Sequence, residues 1–341
     1  MTISLFKPSR GSGLIAAPLN VSYSPVADTE IPVQNILASI EYQPAAPAAA
    51  GQEQIDVALP CLSAVPYRET WSSPEVVTAG SEGMISYRQS SRVIFGVVKV
   101  RESEFASLQD CTHRVYTEIL QFLTRKDYPS LLRVWNYFSD INADSDGVER
   151  YKLFCVGRHQ AVSVIPDFER YLPAASAIGT GTQEFFLVYF VAARSPGVQI
   201  ENPRQISAFH YPDQYGPKSP SFTRAMLKNW EQVSQLYISG TASIVGHQTL
   251  HRDKVRLQLD ETVANLQSLI GHVRAVHQCG IERLDQVSAL KVYIRHPEHY
   301  ALIQDRLEEV TAEKVPVLYL QGDICRQDLL LEIEGLVNFR R

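Results

Sequence analysis

Long hydrophobic runs are missing from this 341-residue chain: the most apolar stretch, Phe185–Ala193, is nine residues between Glu184 and Arg194. A membrane-spanning helix needs about 20, so the stretch predicts a buried strand rather than an anchor. Basic residues are in deficit, with 32 Lys and Arg against 37 Asp and Glu and a net charge of −5. That balance argues against a nucleic-acid or anionic-membrane binder and leaves a small molecule as the expected partner. The five cysteines (Cys61, Cys111, Cys155, Cys279 and Cys325) are odd in number, scattered and never in C-x-x-C spacing, which fits reduced thiols rather than a disulfide frame or a zinc knuckle. At the N-terminus Lys7 and Arg10 precede a six-residue apolar run, too short for a signal peptide, so a cytoplasmic location is expected. The chain has no G-x-G-x-x-G, P-loop, G-x-S-x-G or H-E-x-x-H, and the pairs His247/His251 and His296/His299 lack a third ligand in frame. Neither a cofactor nor a metal is expected.

What is present is an alternation of β and α patterns. Residues 31–42, 54–59 and 83–101 are rich in β-branched residues and broken by Pro, Gly and Ser, a strand signature, with a Pro/Ala linker QPAAPAAAGQ at 43–52 between them. From about residue 103, Phe105, Leu108, Val115, Ile119 and Phe122 recur at helical spacing; LLRVWNYF then reads as a strand, Glu149 to Gln160 as a helix and QEFFLVYFVAA as a buried strand. The order returns in the last third. Asp260 is placed to cap a helix with the stripe Val263, Leu266, Leu269, Ile270, Val273 and Val276, and Gly280 to end it. LKVYIR follows as a strand, Pro297 opens a helix carrying Tyr300, Ile303 and Leu307, and strands are expected at 315–320 and 328–337. The offset of roughly 150 to 160 residues points to a duplicated α/β domain, each copy laying two helices on one face of a sheet. The expected division is a β-rich N-terminal domain (1–102), a core domain (103–219) and a C-terminal domain (220–341).

The last of these carries a resemblance. LYISGTA (236–242), a helix with Gln258 and Asn265, DQVSALKVYIR (285–295) and LLLEIEGL (329–336) resemble the RidA/YjgF fold over roughly the last 120 residues. Together with ENPRQISAFHYPDQYGPKSPSFTRA (201–225) and KLFCVGRHQA (152–161), the whole chain resembles the chorismatase family. The resemblance implies an α/β (α+β) chain of RidA/YjgF-like domains, with helices on one face of mixed sheets in a pseudo-threefold arrangement. It implies a monomer that imitates a trimer, with the active site between the core and C-terminal domains. It also implies release of pyruvate from chorismate, a dianionic enolpyruvyl ether. Glu332 maps to the family's acid, and Gly240 and Cys325 map to the pocket Gly and Cys of members that form 3-hydroxybenzoate. A bifunctional branch linked to xanthomonadin-type pigments forms 3- and 4-hydroxybenzoate. A hydrolase branch, expected to carry Ala at the glycine position, forms 3,4-dihydroxycyclohexa-1,5-dienoate.

Residues two apart on a strand share a face, so Glu332 and Glu334 point one way and Leu331, Ile333 and Gly335 the other. The pattern fits an edge strand with a solvated acidic face as well as a functional pair; the resemblance decides for Glu332 and leaves Glu334 open. Protonating the enol ether's methylene carbon near neutrality requires a carboxylic acid whose pKa is raised by burial or by a neighbouring carboxylate. Cys325, in a turn after Gly322 and Asp323, reads as a buried thiol, and the resemblance makes it a pocket wall. Gly240 reads as a turn or bulge, or as a place where a substrate nears the backbone. Two substrate carboxylates call for guanidinium forks and phenols. Arg158, Arg204, Tyr211, Tyr215, Lys218 and Arg224 supply them, with Phe222 beside Arg224. Two other functions fit parts of the pattern. A RidA-type imine or enamine deaminase would carry a carboxylate-binding Arg where this chain has Val317 and Leu318, and a non-catalytic binder would use the same pocket.

Overall fold

A computed structural model describes residues 17–28, 35–43, 54–145, 147–181 and 184–340, so most of the Pro/Ala linker expected at 43–52 lies outside the described residues. Three sheets share one topology. In the first, β1 (Asn20–Pro25), β2 (Ile36–Tyr42), β3 (Gln54–Val57) and β4 (Tyr67–Ser72) lie in the order β3-β2-β4-β1. The second is built from β5 (Thr78–Glu82), β6 (Ile85–Gln89), β7 (Val93–Arg101), β8 (Ser130–Ser139), β9 (Ala174–Thr180) and β10 (Phe185–Ala193). Its order is β9-β8-β10-β7-β6-β5, with helices α1 (Leu108–Arg125) and α2 (Arg150–Val162) inserted on either side of β8. The third is built from β11 (Val198–Ile200), β12 (Ala225–Asn229), β13 (Val233–Thr241), β14 (Ala289–Ile294), β15 (Val317–Gln321) and β16 (Leu331–Arg340). Its order is β15-β14-β16-β13-β12-β11, with α3 (Val255–His277) and α4 (Tyr300–Thr311) on either side of β14.

The two larger sheets therefore match strand for strand. The pairs β2/β3, β8/β9 and β14/β15 are parallel, and the neighbouring pairs of each inner sheet are antiparallel. A parallel pair needs a crossover, supplied by α2 in the second unit and α4 in the third. In the first unit most of the two corresponding connections lies outside the described residues.

Burial explains this arrangement. The inner faces of the three sheets meet in one core, where Ile40 and Trp71 of the first pack with Phe95, Trp135 and Tyr189 of the second and Tyr237, Tyr293 and Leu318 of the third. Two further cores lie under the helices, one holding Val115, Ile119, Phe122 and Phe138 and the other Leu266, Ile270, Val292 and Ile303. The helical stripes read from sequence make these cores except at their ends, where Phe105 precedes α1 and Val276 is exposed. Bridges Gly179↔Asp323 and Ala174↔Thr223 join the edge of the second unit to the third.

The structure moves several expected boundaries. β5–β7 and β11 enter their sheets from upstream of the divisions expected at 102/103 and 219/220. Helix α3 begins at Val255, so Asp260 lies inside it, paired with Arg306 of α4 at 2.9 Å, rather than capping it. The helix ends on Gln278, which takes the left-handed conformation (φ 53°) that Gly280 was expected to provide. Strand β9, AASAIGT, shows no alternation because its small side chains are buried on both faces. Among the described residues no helix is long and apolar enough to cross a membrane.

Candidate active site

A cavity of about 510 Å³ opens between the second and third units, walled by α2, β9, the segment 205–224, β13 and the loop from Cys325 into β16. Glu332, Cys325, Gly240, Arg158, Tyr211, Tyr215, Lys218, Phe222 and Arg224 all line it. Arg204 does not. Its guanidinium donates to Asn265 Oδ1 at 2.7 Å and pairs with Glu261, both on α3, so this expected ligand is corrected to a structural role. Asn265 in turn donates to the carbonyls of Ala242 and Ile244, at 3.0 and 2.9 Å, which border the cavity. Gln258, two turns earlier on the same face of α3, donates to Asp328 O and accepts from Leu330 N, fixing the approach to β16.

Glu332 is the acid at the cavity's inner end. It is 5% exposed, and its carboxyl makes no hydrogen bond or ion pair among the described residues. Burial, reinforced by the charge of Glu334 and only partly offset by Arg133 and Arg224, pushes its carboxyl up to about 8. Gly240 faces it across a β-bulge: Ile238 pairs with Gly335 but Thr241 with Ile333, so β13 has one residue more than β16 at this point. A Cβ on Gly240 would lie 1.7 Å from Glu332 Oε1 and 3.0 Å from Ser176 Oγ, so the glycine is the space the carboxyl occupies. The bulge reading of this residue holds, and what nears its backbone is the Glu332 carboxyl.

Glu334 is 5% exposed, so the solvated acidic face that the strand pattern allowed is absent. Its side chain turns into the central core, where Arg133 Nη2 (2.7 Å), Ser176 Oγ (2.7 Å), Trp135 Nε1 (2.6 Å) and Tyr293 OH (3.2 Å) donate to it, with Lys291 Nζ at 3.3 Å. Against the upward push of burial, Lys291 and Arg133 hold its carboxyl below the ordinary range. Two carboxylates on one face thus have opposite environments.

Two buried cations face the cavity without acidic partners. Arg158, 3% exposed, stacks over the Tyr116 ring at 4.8 Å, and its Nε has no hydrogen-bond partner. Arg224, 5% exposed, donates from Nη2 to Ile206 O and Tyr211 OH, at 2.8 and 2.7 Å, and leaves Nε unpaired. An unpaired buried guanidinium is costly, and an anion entering the cavity would offset that cost. Arg326 closes one side, lying over the Tyr215 ring at 4.0 Å while Tyr215 OH meets His247 Nδ1 at 2.9 Å.

Burial and the nearby Glu332 push the Cys325 thiol up to about 12, making it a neutral wall rather than a nucleophile. Sequence reasoning overlooked Ser176, Tyr151 and Cys155, which also line the cavity. Cys155 had a legible signal, since it precedes Arg158 by three residues on α2 and shares its face. Ser176, on the patternless β9, had none. Arg295 was also missed: it donates to the carbonyls of Ile324, Arg326 and Leu329 and pairs with Asp323 at 2.6 Å, holding the loop that carries Cys325. Among the described residues no cluster of His, Cys, Asp or Glu is arranged to hold a metal ion.

Comparison with known proteins agrees with this geometry. A family model described as chorismatase FkbO/Hyg5-like, N-terminal, matches residues 69–192. A chorismatase of Streptomyces hygroscopicus is 35% identical over 275 residues, covering 80% of this chain and 79% of that protein. A 3-hydroxybenzoate synthase of the same organism is 32% identical over 298 residues, covering 84% and 86%. A chorismatase crystal structure superposes with a TM-score of 0.82 at 32% identity, covering 94% of this chain and 98% of the other. With about four-fifths of its length matched in sequence and 94% in fold, the chain belongs to the chorismatase family.

Proposed function

We propose that the protein converts chorismate to 3-hydroxybenzoate and pyruvate, with Glu332 as the proton donor. The observation that carries this reading is the unligated Glu332 carboxyl, kept protonated by burial and by Glu334 in a cavity that also presents two guanidiniums without acidic partners, each with an unpaired Nε. Chorismate supplies what such a cavity lacks. Its two carboxylates match Arg158 and Arg224, with Tyr211, Tyr215 and Lys218 nearby, and its enol ether is the group an un-ionised carboxyl can protonate.

Proton transfer from Glu332 to the methylene carbon forms a C–H bond and leaves an oxocarbenium ion, which the newly ionised carboxylate stabilises beside it. The C4 hydroxyl oxygen then closes on C3 as the bond from C3 to the side-chain oxygen breaks, which releases pyruvate, forms an oxirane and returns the hydroxyl proton to Glu332. Reprotonation of the oxirane oxygen by Glu332 breaks its bond to C4, and loss of the C3 proton back to Glu332 aromatises the ring with the hydroxyl on C3. No water is consumed overall, whereas the hydrolase route adds one. Gly240 and Cys325 support the aromatic product, because the small backbone position and the neutral thiol are the pair that the resemblance gives to members forming 3-hydroxybenzoate. A relative named 3-hydroxybenzoate synthase supports the same choice. The site lies within one chain, so a monomer suffices for it.

The test is incubation with chorismate, coupled detection of pyruvate and chromatographic separation of the ring products. Equal amounts of pyruvate and 3-hydroxybenzoate are expected. The dihydroxy diene as main product would move the protein to the hydrolase branch, a large share of 4-hydroxybenzoate would place it in the bifunctional one, and no pyruvate would refute the proposal.

A further inference from the structure

The buried charge at the junction of the three sheets has a specific use. Glu69 of β4 and Glu334 of β16 meet Lys291 of β14 and Arg133 of β8, with Lys291 Nζ 2.8 Å from Glu69 and 3.3 Å from Glu334, and Arg133 Nη2 2.7 Å from Glu334. All four are almost fully buried, and their two negative and two positive charges cancel. A closed, neutral cluster of this kind has no room for a third negative charge beside it. Yet Glu332 is the next residue on the same face, its carboxyl against the Gly240 bulge, and Ser176 joins the two places by lining the cavity while donating to Glu334 Oε2.

We propose that Glu334 is a positioning residue for the reaction: its carboxylate, held by four hydrogen bonds and the Lys291 ammonium in the centre of the molecule, is the fixed negative charge that keeps Glu332 in its acid form between turnovers. This rests on the reading of Glu332 as proton donor. The groups facing Glu332 leave few alternatives for that task. Arg133 from β8 and Arg224 from the approach to β12 favour its ionisation, and Lys291 and Tyr293 face Glu334 from β14. Cys325 from the loop and Tyr151 and Cys155 from α2 are neutral, their protons held by burial. Glu334 is thus the charge that opposes ionisation, and it acts twice. It repels a charge on Glu332, and it occupies Arg133, which would otherwise attract one.

Replacing Glu334 removes the repulsion and frees Arg133, and both changes lower the pH at which Glu332 ionises. A general acid works while protonated, so activity is present below its pKa and lost above. In the wild type the alkaline limb of kcat/KM should fall near pH 8. In Glu334→Gln it should move down by about one pH unit or more, a further loss of about tenfold at pH 8.5. Glu334→Asp, which keeps the charge, should restore the limb even if kcat stays reduced. A merely structural Glu334 would lower kcat in both variants and leave the limb unmoved, which would overturn the proposal.

Should Glu334→Gln fail to fold, 13C-carboxyl NMR of the wild type decides. Glu334 must stay ionised from pH 5 to 9 while Glu332 titrates near 8, and the reverse assignment overturns the inference. Glu332→Gln separates the two claims. Full turnover in that variant refutes the proton-donor reading itself, whereas an inactive Glu332→Gln with an unmoved limb in Glu334→Gln refutes only the role of Glu334.

Discussion

A single methyl group at position 240 should change both how fast the reaction runs and what it makes. In Gly240→Ala the new Cβ would sit 1.7 Å from Glu332 Oε1, where ordinary contact begins at 3.4 Å. The Cβ is anchored by the bulge of β13, so the carboxyl must withdraw, by about 1.5 Å or more, and its side chain is free to do so because no hydrogen bond holds it. A displacement of about 1 Å between reacting groups costs about 10²-fold. Hydroxybenzoate formation should therefore fall by roughly that factor, or about 2.7 kcal/mol in barrier. KM should change much less, because Arg158 and Arg224 lie outside the clash. The diene diol should rise as a share of the remaining product, since the displaced acid opens space for water. Thermal stability should stay within a few degrees, because the atom that moves is the end of a flexible side chain. The assay is steady-state pyruvate release with chromatography of the ring products. Unchanged hydroxybenzoate turnover and product ratio in folded Gly240→Ala would refute the claim that the glycine exists to seat the carboxyl.

Further outcomes follow from the same geometry. Arg158→Ala should raise KM for a dianionic substrate by about 10- to 100-fold, the worth of a charge-assisted hydrogen bond, without lowering Tm, since the buried guanidinium has no acidic partner to lose; a fall in Tm with unchanged KM would contradict this. Glu332→Gln should stabilise the fold in a pH-dependent way. The native carboxyl is raised from its ordinary 4.5 to about 8, so the folded state keeps a proton that the unfolded chain releases, and wild-type stability declines as pH rises through that window. The variant's advantage should be about 1 kcal/mol at pH 5 and about 4 kcal/mol at pH 8, under a ceiling of about 5 set by the displacement. Arg295→Ala should cost about 2–4 kcal/mol, five interactions of which some are recovered by water, and hydrogen exchange should show the 323–329 loop opening first.

The repeat of helix and strand was legible because α1, α3 and α4 bury one stripe each, and periodicity records that directly. Where burial is two-sided the signal vanishes. β9 is a run of small buried residues with no period, and with it Ser176 was lost. The end of α3 was misjudged because Gln278 takes the left-handed position without being glycine. In the site, the residues clustered in two sequence blocks and on β16 meet at one cavity, Arg204 excepted, whose partners Asn265 and Glu261 lie some sixty residues away. The state of Glu334 was the least legible feature. Nothing in LEIEGL tells that Arg133, Trp135, Ser176 and Lys291, from three other strands, converge on the second glutamate and leave the first alone.

The most direct measurement is the stoichiometry of products from chorismate with the wild type and with Glu332→Gln side by side at pH 7. The wild type should release one pyruvate for each 3-hydroxybenzoate formed, and the variant, equally folded and still binding the substrate, should release neither above the uncatalysed background. Pyruvate formation by Glu332→Gln at the wild-type rate, or none by the wild type, would contradict the assignment of Glu332 as the acid of a chorismate-cleaving site.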